Sequence, residues 1–226
     1  MRVLSAGAFV SCLFPERPLA CSTTRAGRPK YETGNQKARR MKAIKVIFLG
    51  DVGVGKTSLH IRLVERVFPH EWRPYYDDVD RKTVVVNGKE VKADLWKINP
   101  SEEYDRLRPL NYPNTDVVVI EFGVDNHSAF KHVEERWMPE VRLHLPDVPV
   151  VLVGTKSDLR QTLVNRRPVV PVEEGEAMAK RLGCAGYLEC SALTGENAEE
   201  VLEHALSLVG RLNAADAPES SGCCLV

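Results

Sequence analysis

Gly50-Asp51-Val52-Gly53-Val54-Gly55-Lys56-Thr57 spells G-x-x-x-x-G-K-T, and it stands between an apolar run, Ile44 to Leu49, and a helical run opening at Ser58. This spacing has a physical reading. Glycines let backbone N–H groups turn inward around phosphate oxygens, a lysine in the position of Lys56 reaches the outer phosphates, and the Thr57 hydroxyl can hold Mg²⁺. A strand before the loop and a helix after it aim the helix N-terminus at the anion. Gly50, Asp51, Val52, Gly53, Val54, Gly55, Lys56, Thr57 and Ser58 are therefore candidate phosphate-binding residues, with Thr57 the candidate metal ligand.

On either side of this loop the pattern alternates between strand and helix. Thr57 to Val67 reads as a helix with Leu59, Leu63 and Val67 on one side, ended by Phe68-Pro69. His70 to Asp80 is polar and irregular and reads as an exposed loop. Thr83 to Val86 and Val91 to Ile98 flank Asn87-Gly88, which predicts an antiparallel hairpin. Val117 to Ile120 and Val150 to Val153 are continuous apolar runs, as in strands buried on both faces. Asn126 to Leu145 carries Phe130, Val133, Trp137 and Val141 at helical spacing, with Pro139 expected to kink or restart the helix. Glu173 to Leu182 reads as a helix and Tyr187 to Cys190 as a short last strand. Asn197, with Glu200 three residues on, reads as a variant capping box. It opens a final helix whose inner face is Val201, Leu202, Ala205, Leu208, Val209 and Leu212. This order predicts an α/β fold in three layers: a mostly parallel six-stranded sheet, one antiparallel edge strand, and helices on both faces. The binding crevice of such a sheet lies at the carboxyl ends of its strands.

The chain has 226 residues, 43% of them apolar, enough for one full-sized domain with tails. Its net charge is zero, but residues 1–40 hold eight Lys/Arg against two Asp/Glu, leaving 23 against 29 in the rest. An acidic body gives no reason to expect nucleic-acid binding. The six cysteines fall in the extension, late in the domain and at the tail, which suits a reducing compartment better than a disulfide framework. No apolar stretch approaches the ~18 residues that span a bilayer. Val3 to Phe14 is similar to a short signal-peptide core, and the Arg-rich stretch to Arg40 is similar to a transit peptide. The simpler reading of residues 1–40 is a disordered or spurious extension, with Met41 a candidate start just before the first strand.

Thr155-Lys156-Ser157-Asp158 follows the strand Val150 to Val153, and Ser191-Ala192-Leu193 follows the strand ending at Cys190, so both loops fall at the sheet edge that carries the phosphate loop. With these two strings the chain resembles a small GTP-binding protein of the Ras superfamily, and within it most resembles the Rho family. The resemblance covers residues 41–213, with residues 214–226 left as a flexible tail. It implies that Asp158 accepts hydrogen bonds from the guanine N1 and exocyclic amine, that Lys156 packs along ring and ribose, and that the Ser191-Ala192 backbone contacts the guanine oxygen. Thr155 and Leu193 complete the candidate guanine site. Phe68 matches the aromatic residue that covers the base, although it also reads as a helix-end core residue. GTP/GDP and Mg²⁺ are the implied ligands.

Rho character rests on longer strings: Tyr104-Asp105-Arg106-Leu107-Arg108-Pro109-Leu110-Asn111-Tyr112-Pro113, Trp137-Met138-Pro139-Glu140-Val141, and Val151 to Arg160. One departure is length. The Rho family carries a helical insert after the guanine-reading loop, and Gln161 to Val172 is several residues too short to hold it.

A second departure concerns hydrolysis. The five residues that read Asp-Thr-Ala-Gly-Gln in the family are here Lys97-Ile98-Asn99-Pro100-Ser101. A lysine brings positive charge toward the Mg²⁺ shell instead of a carboxylate. Proline has no N–H for the γ-phosphate, and Ser101 is too short to orient water as glutamine does. Tyr75 stands where the family threonine reaches Mg²⁺ and γ-phosphate, and Val52 replaces a glycine, crowding the place of the attacking water and of an arginine finger. Lys97 has two readings: a strand-end lysine with its amine in solvent, or a charge that reaches the phosphates and partly replaces the metal's.

Cys223-Cys224-Leu225-Val226 fits a C-a-a-X box, so Cys223 is a candidate lipidation site. Asp216 and Glu219 leave no polybasic second signal, so the expected membrane attachment is weak or reversible. Trp72 to Tyr76 and Tyr104 to Tyr112 are the surfaces expected to meet effectors and regulators, on a monomeric domain in the cytoplasm and at the cytoplasmic face of membranes. Three functions compete: a binding and signalling module with weak hydrolysis, a working GTPase using unusual residues, and a P-loop kinase or ATPase. Asp158 and Ser191 argue against the third.

Overall fold

The computed structural model describes residues 43–71, 79–163 and 169–209. Its strands are β1 (Ile44–Gly50), β2 (Val79–Val86), β3 (Lys89–Lys97), β4 (Val117–Gly123), β5 (Val150–Thr155) and β6 (Gly186–Cys190). They form one six-stranded sheet in the order β2-β3-β1-β4-β5-β6. All neighbours are parallel except β2 and β3, whose antiparallel pairing places β2 at an edge. The Asn87-Gly88 turn accounts for that exception: both residues have positive φ, the backbone a tight hairpin demands.

The period of two along each strand divides the core into two layers. Val117 and Val119 of β4, with Ile44, Val46, Val91, Ala93, Val151 and Val153, face α1 (Lys56–Glu65) and the last helix. Val118, Ile120 and Phe122 face the opposite way, toward Phe130, Val133, Trp137, Val141 and Met178. The helices of that second layer are α2 (His127–His132), α3 (Met138–His144) and α5 (Val172–Arg181), with the short α4 (Leu159–Leu163) between α3 and α5. α6 (Ala198–Ser207) closes the first layer through Val201, Leu202 and Ala205.

The structure corrects several expected boundaries. The first helix ends at Glu65, where Arg66 turns left-handed at φ 60° and accepts the C-cap role, so Val67 lies beyond the helix and is exposed. β2 starts at Val79, inside the stretch expected to be loop. The helix expected over Asn126 to Leu145 runs as α2, a π turn at Val133–Trp137, and α3. Pro139 falls in the first turn of α3, directly after the π turn, so the helix changes type where the proline was expected to kink or restart it. The capping box at Asn197 does not form: Asn197 is left-handed at φ 54°, and its side-chain amide donates to the Glu189 carbonyl at 2.9 Å instead. Residues 1–42 with Met41, Trp72 to Asp78 with Tyr75, and 210–226 with Leu212 and Cys223 lie outside the described residues.

Candidate nucleotide-binding site

The loop from Gly50 to Thr57 leaves β1 at the carboxyl edge of the sheet and enters α1. Gly50 is required by close approach: a Cβ there would stand 2.2 Å from the Glu121 carbonyl oxygen of neighbouring β4. Gly55, at φ 112°, is the N-cap of α1, and no side chain caps the helix, so its first-turn N–H groups are left to an anion. Val54 is fully buried and anchors the loop in the core, while Val52 is 75% exposed at the rim.

Lys56 is buried, and its Nζ donates to the Gly50 carbonyl at 2.6 Å and to the Asp51 carbonyl. Burial lowers its pKa to about 8, with Glu121 and Asp51 opposing and Arg108 and Lys97 reinforcing the drop. Glu121 is the unexpected neighbour. It is fully buried in the β4 row that faces α1, neither carboxyl oxygen has a hydrogen-bond partner, and burial raises its pKa to about 8 against the opposing charge of Lys56.

The Asp51 carboxylate points away from the loop. It accepts from His132 Nδ1 at 2.6 Å and from Trp137 Nε1 at 2.8 Å. Those two residues are five apart, well over one turn of an α-helix with 3.6 residues per turn, and would diverge on a regular helix. The π turn between them, with its wider i to i+5 repeat, brings them to one side.

Two adjoining hollows open on this edge. A cavity of about 180 Å³ is lined by Gly55, Ser58, Phe68, Lys156, Asp158, Cys190, Ala192 and Leu193, among others. A larger cleft of about 550 Å³ is lined by Val52, Gly53, Gly55, Lys56, Thr57, Ser58, Phe68, Asn99, Pro100 and Lys156. Phe68 borders both, so it belongs to the cleft wall and is absent from the two core clusters. The first hollow is base-sized and holds the residues singled out after β5 and β6; the second holds the phosphate loop.

The loops after β5 and β6 are tied together. Ser157 N–H donates to the Cys190 carbonyl at 3.1 Å, and Ser191 Oγ donates to Asp158 Oδ1 at 2.5 Å. Lys156, left-handed at φ 61°, extends its Nζ to within 3.3 Å of Asp125. The Thr155 hydroxyl sits between the Val54 carbonyl and the Phe122 carbonyl, the latter at 3.0 Å, so it anchors the phosphate loop to β5 while its residue lines the base-sized cavity. Cys190 forms part of that cavity's floor, its thiol pKa pushed up by burial.

Opposite the phosphate loop, the segment from Lys97 to Ser101 is held in place. Lys97 is only 5% exposed and close enough to Lys56 to depress its pKa, which removes the reading of a solvent-facing amine. Arg108, its side chain fully buried, donates to the Asn99 carbonyl and the Ser101 carbonyl, each at 3.1 Å, to Asp105 at 2.5 Å and to Glu140 at 2.7 Å. Arg136 adds a bond to the Pro100 carbonyl at 3.1 Å. Beyond this clamp, Tyr104, Leu107 and Leu110 are exposed while Tyr112 is buried against Glu140.

Sequence reasoning did not single out Glu121, Arg62, Arg108, His132 or Asp125. A charge in the apolar run of β4 was a visible signal for Glu121; Arg62, His132 and Asp125 act through partners far along the chain, and Arg108 ties a nearby loop to the distant Glu140. Strand, glycine loop, uncapped helix, base-sized cavity and two linked loops make one nucleotide-shaped crevice. The sequence model of the Ras family matches residues 45–211, well over half of the chain, and the chain belongs to the Ras family of small GTP-binding proteins.

Proposed function

We propose that the protein is a Rho-like guanine-nucleotide-binding module that holds GTP or GDP and hydrolyses GTP weakly or not at all. The observation that carries this reading is the contrast within one crevice. The cradle side has its glycines, Lys56, Thr57 and the linked pair Asp158 and Ser191. The facing side has a buried Lys97 and a clamped Asn99-Pro100-Ser101 where hydrolytic groups would stand. Proline offers no N–H to a γ-phosphate, and loss of finger-assisted chemistry alone lowers rates by ~10³ to 10⁵.

The guanine reading assigns Asp158 to the base's N–H edge, the Ser191-Ala192-Leu193 backbone to its carbonyl oxygen, and Phe68 and Lys156 to its faces. For Mg²⁺ the fit is poorer. Thr57 lines the phosphate cleft, but Lys97 brings a positive charge nearby. Bound Mg²⁺ would neutralise phosphate charge; in this reading Lys97 takes over part of that role.

The long strings around Tyr104 to Pro113 and Trp137 to Val141 support the Rho affiliation. The exposed Tyr104, Leu107 and Leu110 support a regulator- or effector-binding face there. The C-a-a-X tail at Cys223 supports prenylation and signalling at the cytoplasmic face of a membrane. A working GTPase is the competing reading, favoured by Asn99, an amide residue lining the phosphate cleft.

Single-turnover hydrolysis of preloaded GTP separates the two. Retention of GTP for many hours supports the module, and turnover within minutes supports the enzyme. Chromatography of nucleotide released from purified protein shows which form it carries; an adenine nucleotide there would overturn the guanine reading.

A further inference from the structure

Arg62 belongs to no nucleotide motif, yet its guanidinium makes three backbone contacts around the base-sized cavity. Nε donates to the Ala192 carbonyl at 2.7 Å, Nη2 to the Leu193 carbonyl at 2.7 Å, and Nη1 to the Arg66 carbonyl at 2.9 Å. The first two acceptors lie in the loop after β6. The third is the left-handed residue that ends α1, two positions before Phe68. One side chain therefore joins the two walls of the cavity, and Ala192, Leu193 and Phe68 all line it.

The consequence lies in the peptide planes. In a trans peptide the C=O and N–H point in opposite directions. The Ser191 carbonyl is held by the Gly195 N–H at 2.8 Å, and the Ala192 carbonyl by Arg62. The N–H groups of Ala192 and Leu193 consequently face away from these partners, and both residues line the cavity. Donors oriented in advance need no ordering when a ligand arrives, which is where affinity and discrimination come from. A guanidinium spreads its donors in a fixed fork that reaches three carbonyls at once, whereas an ammonium holds its three donors at one point on a flexible stem.

We propose that Arg62 is a positioning residue that sets base specificity: it locks the Ser191-Ala192-Leu193 loop to the end of α1 so that the loop's N–H groups are preset for the carbonyl oxygen of guanine. This rests on the guanine-nucleotide reading above. Arg62 touches no nucleotide itself.

The test compares three diphosphates on the full chain: GDP, inosine diphosphate, which lacks the exocyclic amine, and 6-thioguanosine diphosphate, which keeps N1–H and the amine but has a poorly accepting sulfur in place of the carbonyl oxygen. Arg62→Ala is expected to bind GDP ~10-fold more weakly, the worth of one or two lost hydrogen bonds, and to lose most of the preference for GDP over the 6-thio analogue. Preference for GDP over inosine diphosphate, which Asp158 sets, stays at the wild-type ratio. Arg62→Lys recovers less than half of the lost preference at an unchanged melting temperature. Equal losses for all three nucleotides, or full rescue by lysine, would show a general staple and overturn the proposal. A wild-type protein that does not prefer GDP over either analogue overturns the guanine reading itself, a failure distinct from that of Arg62.

Discussion

The hydroxyl of Ser191 and the carboxylate of Asp158 share a hydrogen bond of 2.5 Å that joins the loop after β6 to the loop after β5. Asp158 is thereby held in one orientation by a fully buried partner at the edge of the base-sized cavity.

Asp158→Asn keeps an oxygen for Ser191 but replaces a charged double acceptor with an amide. Affinity for GDP should fall on the order of 10²-fold, the loss of two charge-assisted bonds. Xanthosine diphosphate, whose extra oxygen can accept from the new amide, should bind better than GDP. Unchanged GDP affinity by competition binding would count against the guanine site.

Lys97 is buried within the electrostatic reach of Lys56. If its charge stands in for part of the metal's, EDTA should release bound nucleotide far more slowly than from a relative with an aspartate there. Lys97→Ala should lower affinity and restore sensitivity to EDTA. Nucleotide release followed by fluorescence decides this, and rapid stripping from the wild type would sink the idea.

Glu121 gives the protein an uncommon pH response. Its folded pKa of about 8 lies above the ordinary 4.5, so between those values the unfolded chain gives up its proton while the folded one keeps it. Stability therefore falls as pH rises through this window, by up to about 1.4 kcal/mol per pH unit. The lysine opposite adds nothing below about pH 8, because Lys56 is charged in both states there. Glu121→Gln should match the wild type near pH 5 and exceed it near pH 8 in denaturant melts; parallel curves would refute the assignment.

The Arg108 clamp holds together the segment that replaces the hydrolytic residues. Arg108→Ala leaves Glu140, largely buried, with one charged partner fewer and two backbone carbonyls without their donor. A loss of about 3 kcal/mol is expected, together with faster proteolysis between Asn99 and Asp105. Limited digestion at a temperature where both proteins remain folded tests the second effect apart from the first.

The parts of this molecule that recur locally were legible in the sequence. The phosphate loop, the Asn87-Gly88 hairpin and the apolar strands β1, β4 and β5 each carry their own pattern, and together they led to the right sheet. Ends were less legible. Reading β4 as an apolar run stopped it at Ile120, at the charge of Glu121, which in fact continues the strand as a buried acid. Arg62 and Asp51 were invisible as organising groups because their partners lie across the fold, as with Arg62 and Ala192 or Asp51 and Trp137. The Asn197 cap failed because that residue is left-handed and its amide turns to the Glu189 carbonyl on β6.

The π turn at Val133–Trp137 makes the phosphate loop sensitive to helix register. Only the wider turn lets His132 and Trp137 reach Asp51 together. Rewinding the same residues as regular α-helix would swing one of the two partners away, whereas removing one residue between them would leave the pair four apart, a spacing that shares one face of an α-helix without any π turn. What latches the loop to the second layer of the protein is thus a count of residues rather than the identity of any one of them.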